Sequence, residues 1–443
     1  MTIYALSTGP GISGIAVIRV SGNGAAEVIK RVTSDKLPNQ REATRRQFYY
    51  INTRELIDEG VLLWFPGPNS YTGEDMAEFH VHGSRAVINS LQNTISKIKG
   101  CRLADPGEFT KIAFQNGKIN LLKAESIADL VASETEIQRK QALKIMSGAS
   151  SEKYNLWRDK LLETLSYIEA KIDFPDEDLP KDIIKKIQKT SNSVLQEIKK
   201  ILKDGKVGER IREGFKIAIV GPTNAGKSSL LNYLSKRDAA IVSETAGTTR
   251  DVIETHLNLD GYPVVLSDTA GIRNSKSEIE RKGIKIALNR AEDADLRLVI
   301  ISAKNPHFTS VLRGLLTNNA ILVINKSDLL KKKLNIKFKK YRHVLISIKK
   351  DLNLNKLISI IKSKLKNKFI NTENILITRE RHRQNLINCV YHLQKFKEKS
   401  ATNDIDKAAE DLRLATRHLG MIVGKVDVEE VLGSIFNDFC IGK

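Results

Sequence analysis

The stretch KIAIVGPTNAGKSS (216–229) limits what this chain can fold into more than any other. KIAIV is a short, unbroken apolar run ended by a turn signal, the pattern of a strand buried on both faces. GPTNAGKSS follows at once and fits GxxxxGK[ST]. Such a loop needs Gly221 and Gly226 because it must curl until its N–H groups point at a phosphate. Lys227 then reaches the β- and γ-phosphates, and Ser228 ligates Mg²⁺. The helix that begins here offers its positive end to the anion. VVLSD (264–268), LRLVIIS (296–302) and AILVIN (320–325) are further apolar strands separated by helical stretches. That rhythm predicts a doubly wound parallel sheet.

The base and the metal have candidates in the same region. Asp268 closes the second strand, where a carboxylate holds Mg²⁺ through water. The N–H of Gly271 is placed for the γ-phosphate. NKSD (325–328) follows a later strand. Asp328 can accept hydrogen bonds from the N1–H and exocyclic amine of guanine, a donor pair adenine lacks, so GTP is expected over ATP. Asn325 and Lys326 support the base and the loop. ISAK (301–304) looks like a guanine-backing loop but precedes NKSD, so Ser347, Ile348 and Lys349 are assigned that role by order. Thr249 in GTTRD (247–251) is the candidate second hydroxyl on Mg²⁺; its plainer reading is an ordinary polar turn. DTAGIRN (268–274) poses a difficulty. Many GTPases place a glutamine directly after that glycine to orient the attacking water. Here the residue is Ile272, which cannot polarise water.

Around this core the pattern changes. Residues 1–117 mix strand-like runs, IAVIRV (15–20) and VLLWF (61–65), with a structured loop, PGPNSYTGED (66–75). From about Leu121 to Lys203 the pattern is helical, with an apolar stripe at Leu161, Leu165, Ile168 and Ile172, and DFPDEDLP (173–180) interrupts it at Pro175 and Pro180. After about Asn371 the chain reads as helical to its end. Val428, Val431, Leu432, Ile435, Phe436 and Phe439 form an apolar face that Asp427 and Glu430 can cap. The domains are therefore read as 1–117, 118–210, 211–371 and 372–443. An inserted α/β domain whose ends lie close lets the flanking helical parts pack as one.

The net charge of +20 has two readings. One is a polyanionic partner such as RNA. The other is a Lys-rich, Ile-rich composition with lysines spread over solvated faces; KDIIKKIQK (181–189) and KKKLNIKFKK (331–340) read as amphipathic or surface runs. Cys101, Cys389 and Cys440 form no CxxC pair, which suits a reducing cytosol and gives no structural zinc site. No apolar run reaches the ~18 residues of a membrane span. The N-terminus lacks the pattern of a secretory signal. A cytoplasmic protein with no membrane association is expected.

GPTNAGKSS, IVSETAGTTRD, DTAG and NKSD, set between helical segments and closed by FCIGK, resemble the tRNA uridine-modifying GTPase family (MnmE/TrmE). WFPGPNSYTGED (64–75), HVHGS (80–84), ADPGEFTKIAFQNGK (104–118) and DFPDED (173–178) extend the resemblance over essentially the whole chain, and the terminal CIGK is its most specific tag. It implies a multidomain α/β plus α fold. An N-terminal α+β folate-binding-like domain that dimerises precedes a helical domain, which carries an inserted Ras-like P-loop GTPase domain.

The resemblance also implies an answer to Ile272. Members resemble GTPases that use K⁺ in place of a glutamine or an arginine finger. Asn224 matches the asparagine that holds the ion, and Ser243, Thr245 and Thr248 match the switch loop. A monovalent cation there neutralises developing charge as a finger would. Glu280 matches the water-positioning acid; read without the family it is an ordinary solvated glutamate. The expected GTP contacts are Asn224, Ala225, Gly226, Lys227, Ser228 and Ser229; Ser243, Glu244, Thr245, Ala246, Gly247, Thr248 and Thr249; Asp268, Thr269, Ala270 and Gly271; and the guanine set above. Three departures stand out: Pro222-Thr223 replaces a more usual basic residue and proline, Ser243 replaces threonine, and HGSR (82–85) replaces a double glycine.

For the tetrahydrofolate derivative, Glu78 matches the carboxylate that reads the pterin edge, and Arg19, Lys118 and Lys443 match the basic contacts. Each is otherwise an ion pair or a solvated charge. Cys440 is either a buried thiol beside Phe439 or a reactive one near the folate carbon. The implied activity is K⁺-stimulated GTP hydrolysis by a homodimer. With an FAD-dependent partner protein, as a heterotetramer, it would add a carboxymethylaminomethyl-type group to C5 of the wobble uridine of certain tRNAs. The rivals are a ribosome- or RNA-assembly GTPase without modification chemistry, and a folate-binding structural module whose GTPase part is only regulatory.

Overall fold

The computed structural model describes residues 1–443 except 175–180, 205, 238–253, 269–288, 305–307, 331–340, 369–374, 402–404, 427–431, 433–434, 436–438, 440–441 and 443. Pro175, Pro180, Asp427, Val428, Glu430, Val431 and Phe436 lie outside the described residues.

One compact unit comprises residues 1–131, 144–195 and 385–443. Its sheet is formed by β1 (Thr2–Leu6), β2 (Ser13–Ser21), β3 (Thr44–Tyr49), β4 (Leu56–Phe65), β5 (Met76–Gly83) and β6 (Cys101–Leu103), in the order β3-β4-β5-β2-β1-β6. The runs at 15–20 and 61–65 lie in β2 and β4. Period-two alternation decides the faces. Ala16, Ile18 and Val20 pack with Phe79 and Val81 against Val28, Ile29, Val32, Leu91 and Ile95 of the helices Ala25–Thr33 and Arg85–Ser96. Arg19 and Glu78, directly opposite each other across β2 and β5, alternate to the other face.

The helical part of this unit draws on both ends of the sequence. Ala149–Asp173 packs along Ile405–Val423. Its buried face is Tyr154, Trp157, Leu161, Thr164 and Ile168. Of the stripe expected there, Leu161 and Ile168 are buried and Leu165 and Ile172 only half-buried. The facing helix buries Ala408, Ala409, Ala415 and Gly420, small residues that let two backbones approach. A Cβ on Gly420 would stand 2.4 Å from Val426 Cγ2. Leu432, Ile435 and Phe439 close a second cluster on Leu121 and Ala124.

The other unit comprises residues 132–143 and 196–384. Its strands are β7 (Phe215–Val220), β8 (Glu254–Leu259), β9 (Tyr262–Asp268), β10 (Leu296–Ser302), β11 (Ala320–Asn325) and β12 (His343–Leu345), ordered β12-β11-β10-β7-β9-β8. All neighbours are parallel except β8 and β9. Ile217 and Ile219 face one core, and Ala218 and Val220 face another, so the sheet is covered on both sides. The apolar pattern marks β7, β9, β10 and β11 and misses the three-residue β12 and the edge strand β8. The missed signal is Asp260-Gly261, both at positive φ (52° and 87°), the two-residue hairpin turn.

Two segments near the ends of the long stretch of this unit meet. A Cβ on Gly208 would lie 2.0 Å from the carbonyl oxygen of Ile377, so these backbones touch. Arg383 is buried beside them. Its Nε donates to Glu209 Oε1 at 2.6 Å, and its Nη2 donates to Glu209 Oε2 and Asp204 Oδ1, both at 2.8 Å. Its Nη1 donates to the Leu202 carbonyl at 3.2 Å. A buried guanidinium tolerates desolvation only when it is paired this fully.

Candidate functional site

The loop Gly221–Gly226 leaves the C-terminal end of β7 and runs into the helix Lys227–Arg237. Gly221 passes β10 so closely that a Cβ would sit 2.1 Å from the Ile300 carbonyl oxygen. Asn224 adopts φ 61°, a left-handed conformation that asparagine tolerates better than most residues. Lys227 is buried, and its Nζ donates to the carbonyls of Gly221 (3.1 Å) and Pro222 (3.2 Å). Ser228 and Ser229 are exposed on the first turn of the helix.

NKSD is locked to this loop. Asn325 Nδ2 donates to the Ala225 carbonyl at 2.9 Å, and Lys326 Nζ donates to the Asn224 carbonyl at 2.8 Å. Asn325 Oδ1 accepts from the N–H groups of Lys326 (2.7 Å) and Ile348 (3.3 Å). Ser347, fully buried, donates from Oγ to Asp328 Oδ1 at 2.5 Å. Asp328 is thereby held while staying exposed. The structure brings Asn224, Ala225, Gly226, Asn325, Lys326, Asp328, Ser347 and Ile348 into one connected assembly, with Lys349 exposed next in the chain. The backbone of Asp268 ends β9 with its Cα paired to Ile219 of β7, beside the loop. Its side chain lies outside the described set, as do Ser243, Glu244, Thr245, Ala246, Gly247, Thr248, Thr249, Thr269, Ala270, Gly271, Ile272 and Glu280.

A second assembly forms on the other face of the first sheet, which Phe109 and Tyr71 cover. Arg19 Nη2 and Nε donate to Glu78 Oε1 at 2.9 and 3.1 Å. The Arg19 guanidinium also lies 5.6 Å from the ring centroid of Tyr71 and 5.7 Å from that of Phe109. His80 Nε2 stands 3.5 Å from Glu78 Oε2. Tyr71 hydrogen-bonds Thr110 at 2.8 Å, and burial raises its phenol pKa. The loop 66–75 is tied internally by Gly67 N to Asp75 Oδ1 (2.9 Å) and to the next segment by Asn116 Nδ2 to the Thr72 carbonyl (2.8 Å). Lys118 is exposed and lies along this loop, with its Cε 3.0 Å from where a Gly73 Cβ would be. Tyr71 and Phe109 were missed as site residues; their signal was two aromatics inside the motif stretches 64–75 and 104–118.

The chain's end comes to the same sheet. Ser7 Oγ donates to the Gly442 carbonyl at 2.9 Å, and a Cβ on Gly442 would stand 2.1 Å from the Leu6 carbonyl oxygen. Leu6 pairs with Ile18, one residue from Arg19. Cys440 and Lys443, the residues flanking this anchor, lie outside the described residues. Burial raises the thiol pKa of both Cys101 and Cys389, which makes neither a thiolate nucleophile.

The comparisons bear on both assemblies. A family profile described as "MnmE helical domain" matches residues 121–440, and one described as "GTP-binding protein TrmE N-terminus" matches residues 2–118. A protein of Pelagibacter ubique (strain HTCC1062) called tRNA modification GTPase MnmE is 72% identical over 443 residues, covering 100% of both chains. One of the same name from Rickettsia bellii (strain RML369-C) is 44% identical, again over 100% of both. Among solved structures, the G domain of the T. maritima FeoB iron transporter is 27% identical, covering 35% of this chain and 98% of that one with a TM-score of 0.29.

Proposed function

The chain belongs to the MnmE family of tRNA modification GTPases, and from that premise we propose that it is a K⁺-stimulated GTPase acting at the wobble uridine with a folate-borne carbon. The observation that carries the reading is the interlock of the phosphate loop with Asn325 and Lys326, beside an Asp328 held by Ser347. GTP bound there would have its base read by Asp328 and its phosphates held by Lys227 and the loop N–H groups. Asn224 and Ser228, both exposed on the loop and the first helical turn, supply amide and hydroxyl oxygens of the kind hard cations take. Asn224 would hold K⁺ with Ser243, Thr245 and Thr248, and Ser228 would hold Mg²⁺ with Thr249. Bound there, the potassium ion would supply positive charge of the kind an arginine finger supplies, while Ile272 offers no side chain to orient water. Glu280 would position the water.

In the same reading Glu78, Arg19, Lys118 and Lys443 hold a tetrahydrofolate derivative and Cys440 acts beside its one-carbon unit. The aromatic rings of Tyr71 and Phe109 that bracket Arg19 support this site, since they hold the guanidinium in place. Residues 1–117 would be the folate and dimerisation domain, 211–371 the GTPase domain, and 118–210 and 372–443 the two parts of the helical domain. The partners proposed are a second copy, an FAD-dependent protein and tRNA, in the cytoplasm. Among the described residues no helix is long and apolar enough to cross a membrane.

GTP turnover in KCl and in NaCl at equal ionic strength tests the cation. Potassium is expected to give about tenfold faster turnover or more, a small part of what an arginine finger supplies. Asn224→Ala should erase the difference. Equal slow rates in both salts would sink the potassium reading.

The anchored tail gives a second expectation. Gly442→Ala puts a Cβ at φ 96° and against the Leu6 carbonyl, so the tail must leave its seat. Modified wobble nucleosides, measured in digested tRNA from a strain carrying only this variant, should fall about tenfold or more, while GTP turnover stays within about twofold. Full modification would show that the tail's placement does not matter to the chemistry.

A further inference from the structure

The first sheet carries a basic cleft that neither site uses. It has a volume of about 710 Å³ and lies along the edge strand β3, lined by Ser34, Arg45, Arg46, Gln47, Tyr49 and Arg54 among others. Residues 30–54 hold seven Lys or Arg against two Asp or Glu, a far denser excess than the chain's average. Two acids sit in the cleft wall. Glu59 pairs with Arg45. Asp35 Oδ2 stands 3.4 Å from Arg46 Nε, a nitrogen that is buried and makes no hydrogen bond.

Arg54 is the unusual member. It sits in the β3–β4 turn at φ 59°, a conformation that glycine or asparagine takes at less cost. From there it donates to Ser34, itself left-handed at φ 61°. The bland account is that charges on an edge strand only block unwanted pairing. That account needs charge facing solvent. It does not need three guanidinium groups converging on one cleft, one of them from a strained turn.

We propose that this cleft grips the phosphodiester backbone of tRNA. The proposal rests on the family's tRNA-modifying role and adds the surface that would hold the substrate. Guanidinium forks match phosphate oxygens in pairs, which an ammonium does not. Tyr49, with its hydroxyl donating to Gln47 Oε1 at 2.6 Å, adds an aromatic ring to the cleft wall, a group on which unpaired bases stack. An open cleft of this kind suits a long polyanion better than a small enclosed anion.

The test uses the full chain and a fluorescently labelled tRNA transcript, with anisotropy read from about 50 to about 250 mM salt. The combined Arg45→Gln, Arg46→Gln and Arg54→Gln variant should bind about tenfold to a hundredfold more weakly near 100 mM, with a log–log salt slope smaller by about 2 to 3. Its GTP turnover should match wild type, which reports that it is folded. Lysine at the same three positions should keep most of the slope. Unchanged affinity and slope in the glutamine variant would overturn the proposal. So would an equal loss in both variants, because that is a loss of structure rather than charge. A glutamine variant that restores full wobble modification to a deletion strain also overturns the cleft and leaves the modification reading standing. A deletion strain with fully modified wobble uridines counts against the modification reading instead.

Discussion

Replacing Gly226 by alanine is expected to abolish nucleotide binding, with affinity for a fluorescent GDP analogue falling about a hundredfold or more. The glycine has φ 103°, and an added Cβ would stand 2.2 Å from Asn325 Nδ2. That nitrogen is not a flexible tip. It donates to the Ala225 carbonyl, while Oδ1 of the same side chain accepts from the N–H groups of Lys326 and Ile348. Asn325 is buried, so moving it strands polar groups away from water, at about 1–3 kcal/mol each. Left-handed strain at a non-glycine residue adds about 1–2 kcal/mol. These sum to several kcal/mol, and each 1.4 kcal/mol is a factor of ten in affinity. The phosphate loop and the guanine loop should fail together. A tenfold loss or less, in a protein with an unchanged melting temperature, would mean that the two loops are not coupled as the hydrogen bonds indicate.

Asp328→Asn should exchange the base that is preferred. The carboxylate accepts twice; an amide accepts once and donates once. Against guanine the amide loses one acceptor and sets its NH₂ against the exocyclic amine. GTP affinity is expected to fall about 10²- to 10⁴-fold, the scale on which a hydrogen-bonding site rejects an ill-matched partner. Xanthine carries a carbonyl where guanine carries the amine, so XTP affinity should rise. Competition of GTP, XTP and ATP against a labelled nucleotide measures both shifts. Ser347 Oγ should stay within reach of Oδ1, so the side chain keeps its seat. If GTP and XTP compete as they do in wild type, Asp328 does not read the base.

The GTPase site was legible in the sequence because its motifs follow strands, and the strands are apolar enough to read without context. Buried parallel strands leave no polar face to confuse the pattern, and β7, β10 and β11 are almost wholly buried. The order of motifs chose Ser347 over the ISAK run, and it is Ser347 that bonds Asp328. β8 was not legible because ETHLNL alternates polar and apolar residues on a sheet edge, where burial is partial. Arg19 and Glu78 carry no local pattern at all; they meet because β2 and β5, distant in sequence, pair in register. The half-buried Leu165 and Ile172 show a further limit. Apolar spacing gives a helical face, but which part is covered depends on the helix that lies on it.

The contact of Gly208 with Ile377, stapled by Arg383, has a meaning for the chain as a polymer. Residues 208 to 377 begin and end at one point, so to the rest of the protein they occupy no more room along the backbone than a tight turn. Closing a loop of that length costs little more than closing one half as long, about 0.6 kcal/mol for each doubling. The stretch between them can therefore be long at little cost to the backbone that holds its ends. Another insert with the same spacing between its ends would fit there, provided it kept Glu209 for Arg383 to hold.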